Sequence, residues 1–286
     1  VSTPRPSVPA LRPARLLATA VTTGALFTIA ACSGSGDGIG AQTGAGPAER
    51  PAAAAATAPG SPSPSPSSGL TAEGARRALI TEADIEDAWT RVDAGTARSW
   101  RDKMLVGEVD AAQFLTGKSD VADCQRLVDS LFDETLLGKA SGASALTGFE
   151  EGDSRLLYQV TAYDRSGLDA SLNWLKTLPQ KCDSFTLTGD RGGDRTVEVV
   201  EAGLPAEGDA RQGLTVTVKG EEGGEPVTLT LAVAVVRVGT DAITVTQGGL
   251  NGASESTTAS AVREGTQRLK EVLAGRTPSP DPSVDE

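Results

Sequence analysis

Apolar residues recur along this chain with two different periods, and the switch between them marks out the elements. Over 70–89 the apolar positions are Leu79, Ile80, Ile85 and Trp89, and Thr81-Glu82-Ala83-Asp84 has the spacing of a capping box. Two short helical pieces are predicted to meet there. Val121, Cys124, Leu127, Val128, Leu131 and Phe132 follow the i, i+3, i+7 spacing of one buried helical face over 120–132, with Asp120 as its cap and Cys124 pointing inward. Residues 155–163 are short, rich in strand formers and partly alternating, which predicts a strand. Asp164 and Ser166 then cap a helix whose stripe is Leu168, Leu172, Leu175 and Leu178, and Pro179 is expected to stop it.

From there to about 248 the pattern is strand after strand: 184–188, 196–200, 214–219, 227–238 and 242–247. The turns between them are written in Gly and acidic residues, at Gly189-Asp190-Arg191-Gly192-Gly193, Glu221-Glu222-Gly223-Gly224-Glu225 and Gly239-Thr240-Asp241. Turns this short imply antiparallel neighbours. A last helix is predicted over 256–274, with Val262, Leu269, Val272 and Leu273 inward and Gly275 past its end. The expected class is α+β: an antiparallel sheet with helices packed on one face, in a single domain.

Composition divides the rest of the chain. Residues 32–69 are Ala, Gly, Ser and Pro with almost no large apolar side chain, including the run Ser61-Pro62-Ser63-Pro64-Ser65-Pro66-Ser67. Such a stretch buries too little surface to fold, and its Pro-rich half suits an extended tether. The tail 276–286, with Pro278, Pro280 and Pro282, reads the same way, leaving 70–275 as the folded domain.

Residues 1–31 have another character. Arg5, Arg12 and Arg15 precede Leu16–Ala31, which carry no charge, and no acidic residue occurs before Asp37. A basic start, an apolar middle and small residues at the cut describe a secretory signal, and the apolar run is short of the ~20 residues a membrane-spanning helix needs. Ile29-Ala30-Ala31-Cys32 resembles the lipobox of bacterial lipoproteins. That resemblance implies a signal peptide over 1–31 and a palmitate-bearing diacylglycerol on the Cys32 thiol. The domain would then stand on the extracytoplasmic face of the cell membrane, held there by its N-terminal lipid.

Three cysteines are an odd number for an exported chain. Lipidation of Cys32 leaves Cys124 and Cys182, which outside the cytoplasm are expected to oxidise to one disulfide, with two separately buried thiols as the alternative. Closing that loop restricts the unfolded chain by roughly 4 kcal/mol. A metal centre is disfavoured, because zinc usually takes four Cys or His ligands and the chain has no His.

Leu79-Ile80-Thr81-Glu82-Ala83-Asp84-Ile85 followed by Trp89, Cys124 in the next helix, Val160-Thr161-Ala162-Tyr163 ahead of a helix with Trp174, and Cys182 just after it resemble the actinobacterial PknH-type extracellular sensor domain and the lipoproteins that carry it without a kinase. The resemblance spans about 70–275. It implies a ligand-sensing or binding cleft on an antiparallel sheet and no reaction. Members of that family carry further cysteines for a second disulfide, and this chain has none.

The formal net charge of −12 sets the domain against nucleic acids, whose binders need basic patches, and no basic cluster exceeds Arg76-Arg77. The absence of His removes Ser-His-Asp triads, Cys-His pairs and His-based metals. Gly117-Lys118-Ser119 looks like the end of a phosphate-binding loop, yet Ala112 stands where that loop needs Gly. The acidic turns lack the alternating oxygens of a calcium loop. No catalytic residue, cofactor or metal is therefore expected.

Half-polar aromatics remain as candidate ligand contacts: Trp100, Tyr158, Tyr163 and Trp174. Trp100, between Arg98 and Arg101 in its neighbourhood, is the expected exposed recognition residue. The function expected is a non-enzymatic, lipid-anchored binding or sensor-like module for a small molecule, envelope component or protein partner. A structural lipoprotein or carrier of lipid or glycolipid is the alternative, and a carboxylate-dependent hydrolase a more distant one.

Overall fold

Alternation of apolar and polar residues builds one sheet that dominates the molecule. The computed structural model describes residues 69–85, 88–189 and 193–279, all within one compact unit. Cys32, the tether to residue 68 and the end of the tail from 280 lie outside the described residues, as do Asp190, Arg191 and Gly192 of the first Gly-rich turn.

Among the described residues ten strands form, β1 (Thr90–Val92), β2 (Leu105–Val106), β3 (Val109–Asp110), β4 (Ser144–Glu151), β5 (Ser154–Ala162), β6 (Ser184–Thr188), β7 (Asp194–Ala202), β8 (Ala210–Glu222), β9 (Glu225–Val238) and β10 (Asp241–Gly249). Eight make one antiparallel sheet in the order β1-β4-β5-β10-β9-β8-β7-β6, while β2 and β3 pair separately. The helices are α1 (Ala72–Arg77), α2 (Ala94–Lys103), α3 (Ala111–Phe114), α4 (Ala122–Ser130), α5 (Arg165–Lys181) and α6 (Glu255–Leu273). The α+β class follows directly.

The sheet carries helices on both faces, where a single helical layer was expected. Each central strand is apolar on both sides: on β9, Val233 and Val235 enter one core while Ala234 and Val236 enter the other. A strand apolar on both sides needs two covers. One core joins α2, α3, α4 and α5 to that face through Trp100, Phe114, Leu127 and Leu172. The second joins α1 and α6 to the opposite face through Ala75, Val262 and Leu269.

Local signals decide most boundaries. Thr81 forms the expected capping box, its backbone N–H donating to Asp84 Oδ2 at 2.7 Å. Ser254 caps α6 by accepting from Thr257 N at 3.2 Å. The N-cap of α4 is Val121 rather than Asp120, and no side chain caps it. Pro179 does not stop α5, which runs on to Lys181. Pro179 forfeits the bond its N–H would make to Leu175 O, but the helix continues past it, with Cys182 N donating to Leu178 O at 2.7 Å. Cys124 and Cys182 form a disulfide, with Cα atoms 5.6 Å apart, tying α4 to the end of α5. Both residues are fully buried.

Candidate functional site

The four aromatics singled out in the sequence do not line one cleft. Tyr158 faces the α6 core, completely buried, whereas Trp100, Tyr163 and Trp174 belong to the other core. Trp100 is 3 % exposed, not a surface residue. It sits on the inner face of α2, edge-on to Phe132 with ring centroids 6.1 Å apart, while Arg98 and Arg101 on the same helix reach outward to Glu134 and Asp129. Charged neighbours in sequence point elsewhere once the segment is helical. Trp174 packs under the guanidinium of Arg126, 3.7 Å from the ring centre. Burial pushes the Tyr163 hydroxyl up to about 12 and raises that of Tyr158 further still.

An opening suited to a ligand lies elsewhere, beside α6. The helix covers Ala234 and Val236 of β9. Farther along the same face of the strand, Ala232 and Thr230 emerge from under it. Ala232 pairs with Thr215, and Thr230 with Thr217, so the floor continues onto β8. One wall is the first turns of α6, with Glu255, Thr258 and Ala259, and the other is the turn after β7, with Ala202, Leu204 and Pro205. The groove has a volume of about 580 Å³ and opens to solvent. Small side chains make the room.

Three sequence choices shape it. Gly213 stands where a Cβ would lie 2.5 Å from Ala202 O and 2.8 Å from Leu204 Cγ, so the far wall folds close against β8. Lys270 Nζ donates to Glu207 Oε2 at 3.1 Å and holds the 203–209 segment to α6. Thr258 Oγ1 donates to Ser254 O at 2.9 Å, which ties its hydroxyl back to the first turn of the helix. Glu255 is the ionisable residue of the lining. Away from the helix the same sheet face is open and rich in hydroxyls, with Thr186 and Thr196 exposed and Val200 55 % exposed. Its Glu198 is paired with Lys219 at 2.9 Å.

The lining mixes methyl and methylene surface with hydroxyls and holds no acid–base pair. It suits an uncharged ligand with both apolar and hydrogen-bonding surface. The sequence signal that could have located it is the Thr-x-Thr pattern at Thr215-Val216-Thr217 and Thr228-Leu229-Thr230, polar positions on one face of strands otherwise buried on both.

The remaining motifs take structural places. Lys118 of Gly117-Lys118-Ser119 makes an antiparallel bridge to Thr188 at the edge of β6. Arg195, on β7, donates to Gln113 O and Thr116 O and fastens the end of α3. Glu221, Glu222 and Glu225 are exposed at the β8–β9 turn. Among the described residues no group of three Cys, Asp or Glu is placed to hold a metal ion. Among them, too, no helix is long and apolar enough to cross a membrane.

No protein-family model matches the chain. No curated protein matches it. Among solved structures it is similar to the extracellular domain of PknH from Mycobacterium tuberculosis, at 11% sequence identity and a TM-score of 0.41, over 70% of this chain and 97% of that one. So loose a likeness transfers neither residues nor activity.

Proposed function

We propose that residues 70–275 form a non-enzymatic, sensor-like binding domain outside the cytoplasm, tethered to the membrane by a lipid on Cys32, with the groove beside α6 as its ligand site. The observation that carries the binding role is the groove itself: about 580 Å³ bounded by Ala232, Thr215, Thr230, Thr258 and Leu204, with one carboxylate at its edge. A lone carboxylate supplies half of a two-carboxylate hydrolase. The chain also has no His to serve as a general base. An extracytoplasmic address is supported by the lipobox-like Ile29-Ala30-Ala31-Cys32 and by the buried disulfide. An open, half-hydroxylated groove favours a binding module over a carrier, which needs an enclosed apolar cavity to shield an acyl chain.

Native mass spectrometry of protein purified from its own envelope tests this reading. A retained uncharged ligand is expected, and it should be lost from Ala232→Trp, whose indole fills the floor, while the unfolding midpoint stays close to wild type. Equal ligand occupancy in the variant would place the site elsewhere. Turnover of a glycoside, ester or peptide that disappears in Glu255→Gln would replace the binding role with a hydrolytic one.

A further inference from the structure

The segment 131–138, between α4 and β4, covers the middle of the sheet in a way that its surroundings do not favour. Leu131, Phe132, Leu136 and Leu137 are each at most 3 % exposed and press down between α2 and α5. The floor beneath them is polar. Gln159 of β5 is 3 % exposed, and Thr244 and Thr246 of β10 are 7 % and 5 % exposed, all on the face that carries Leu157. Their hydrogen bonds are long: Gln159 Nε2 donates to Glu134 O at 3.4 Å and to Ser144 Oγ at 3.3 Å, and Thr244 Oγ1 to Gln159 Oε1 at 3.3 Å. Tyr163, 5 % exposed and close enough to Glu134 to feel its charge, has a buried hydroxyl that makes no hydrogen bond of good geometry, although the Thr161 side chain is close enough to favour its charged form. Apolar side chains over weakly satisfied polar ones make a poor permanent interface.

Backbone strain falls in the same place. Phe132 has φ 53°, the one non-glycine residue with positive φ among the described residues. A buried phenylalanine in the left-handed region is held there by its surroundings, and such residues concentrate at ligand clamps and switches. The segment is also fastened at few points. Arg98 Nε donates to Glu134 Oε1 at 2.5 Å across exposed surface, and Ser171 Oγ of α5 donates to Leu137 O at 3.0 Å. Its two ends differ. Upstream, α4 is fixed by the Cys124–Cys182 disulfide; downstream lie Gly138, with φ 87°, and Gly142.

We propose that 131–138 is a lid, hinged between disulfide-anchored α4 and the Gly138–Gly142 stretch, and that lifting it uncovers a second, internal site. This site takes an uncharged ligand that hydrogen-bonds through amide or hydroxyl groups to Gln159, Thr244, Thr246 and Tyr163 Oη. Its closed state exchanges the strain at Phe132 and the poorly satisfied Tyr163 hydroxyl for burial of Phe132, Leu136 and Leu137. A ligand that satisfies the floor favours the open state by its differential affinity. The inference is independent of the groove beside α6.

Cysteine accessibility in the intact, oxidised protein tests it. Thr244→Cys lies under the lid, and Val216→Cys, fully buried in the same core on β8, is the reference for global unfolding. Iodoacetamide should label position 244 at least tenfold faster than position 216, at a rate nearly flat in sub-denaturing urea. Adding Ser171→Ala, which removes the bond to Leu137 O, should raise the rate at 244 several-fold and leave 216 unchanged. Iodoacetate should lag iodoacetamide by more than it does on free cysteine, as a site for uncharged ligands requires. If 244 and 216 label at equal rates with the same urea dependence, the segment opens only with the whole domain and the lid is overturned. An unchanged ratio of the two reagents overturns the ligand class. Gln159→Cys, read in the same way, decides the matter if Thr244→Cys does not fold.

Discussion

The indole of Trp100 occupies the place a side chain at position 148 would need: a Cβ on Gly148 would lie 2.5 Å from Trp100 Cη2 and 2.8 Å from Ala97 Cβ. Helix α2 therefore rests directly on the backbone of β4. Gly148→Ala is expected to force the indole off its seat and to destabilise the domain by about 1–3 kcal/mol, the usual range for overpacking a core. Urea unfolding followed by tryptophan emission would show it, with the emission maximum of the folded state moving as Trp100 shifts. Trp100→Ala should cost about 3–5 kcal/mol as a core truncation, not the small change expected of a surface residue. A shift of the unfolding midpoint within error for either variant would contradict this packing.

Cys124 and Cys182 join two helices that otherwise meet through few residues, with Lys181 Nζ donating to Asp123 Oδ2 at 2.6 Å across the same junction. Cys124→Ser is expected to lower stability by about 2–5 kcal/mol. Non-reducing peptide mapping should recover one linked pair of fragments containing these two residues. Recovery of both as free thiols from oxidised, exported protein would remove the crosslink and its contribution.

Alternation and turn chemistry were legible wherever the strand was long. The β8–β9 and β9–β10 hairpins turn at the Gly-bearing sequences 221–225 and 239–241, and β5, β9 and β10 lie close to their expected limits, whereas the longer connection from β7 to β8 matches none of the expected turns. What the pattern could not disclose was the second helical layer. Val233 and Val235 against Ala234 and Val236 read as one continuous apolar run, and a run carries no label for which face meets which helix. β4 went unseen because Gly148 and Thr147 break its apolar sequence, and Gly148 is there to admit Trp100. The helix α2 was missed because Arg98, Ser99 and Arg101 surround its one large buried residue. The groove arises where α6, a turn at 202–205 and two strands converge, a relation among four separate segments spread over residues 202–259. The buried disulfide was expected only once Cys32 had been set aside for a lipid, with two separate thiols as the alternative, and the 5.6 Å between the Cα atoms of Cys124 and Cys182 decides for the bond.

An expectation from the sequence concerns Cys32, outside the described residues. If the lipobox-like Ile29-Ala30-Ala31-Cys32 is processed, Cys32→Ala should leave an unlipidated precursor that partitions into the aqueous phase in a detergent separation, and intact-mass measurement should lack the acyl increment. Equal acylation of variant and wild type would end the lipoprotein assignment. The folded domain should be indifferent to the change, so its unfolding midpoint is the control.

Asp241 offers a pH test of the second core's edge. It opens β10, is 4 % exposed, and one carboxyl oxygen, Oδ1, is buried without a partner. Burial pushes its pKa from 3.8 up to about 6. Below pH 3.8 the carboxyl is protonated in both folded and unfolded chains, and the group does not oppose folding through its charge. Between 3.8 and about 6 the unfolded chain releases the proton while the folded one keeps it, so the folded state binds more protons and stability falls as pH rises. Above about 6 the charge is buried in the folded state and the loss is complete, on the order of 1–3 kcal/mol. Asp93 and Asp123, whose hydrogen bonds hold their carboxyls below the usual range, act in the opposite direction and are common to wild type and variant. The measurement is therefore the difference between the stability–pH curves of wild type and Asp241→Asn from pH 3.5 to 7.5. The variant should gain on the wild type steadily from about pH 4 to pH 6 and run parallel to it above, whatever constant offset the buried amide introduces. Parallel curves across the whole range would show that Asp241 ionises as freely in the folded domain as in water.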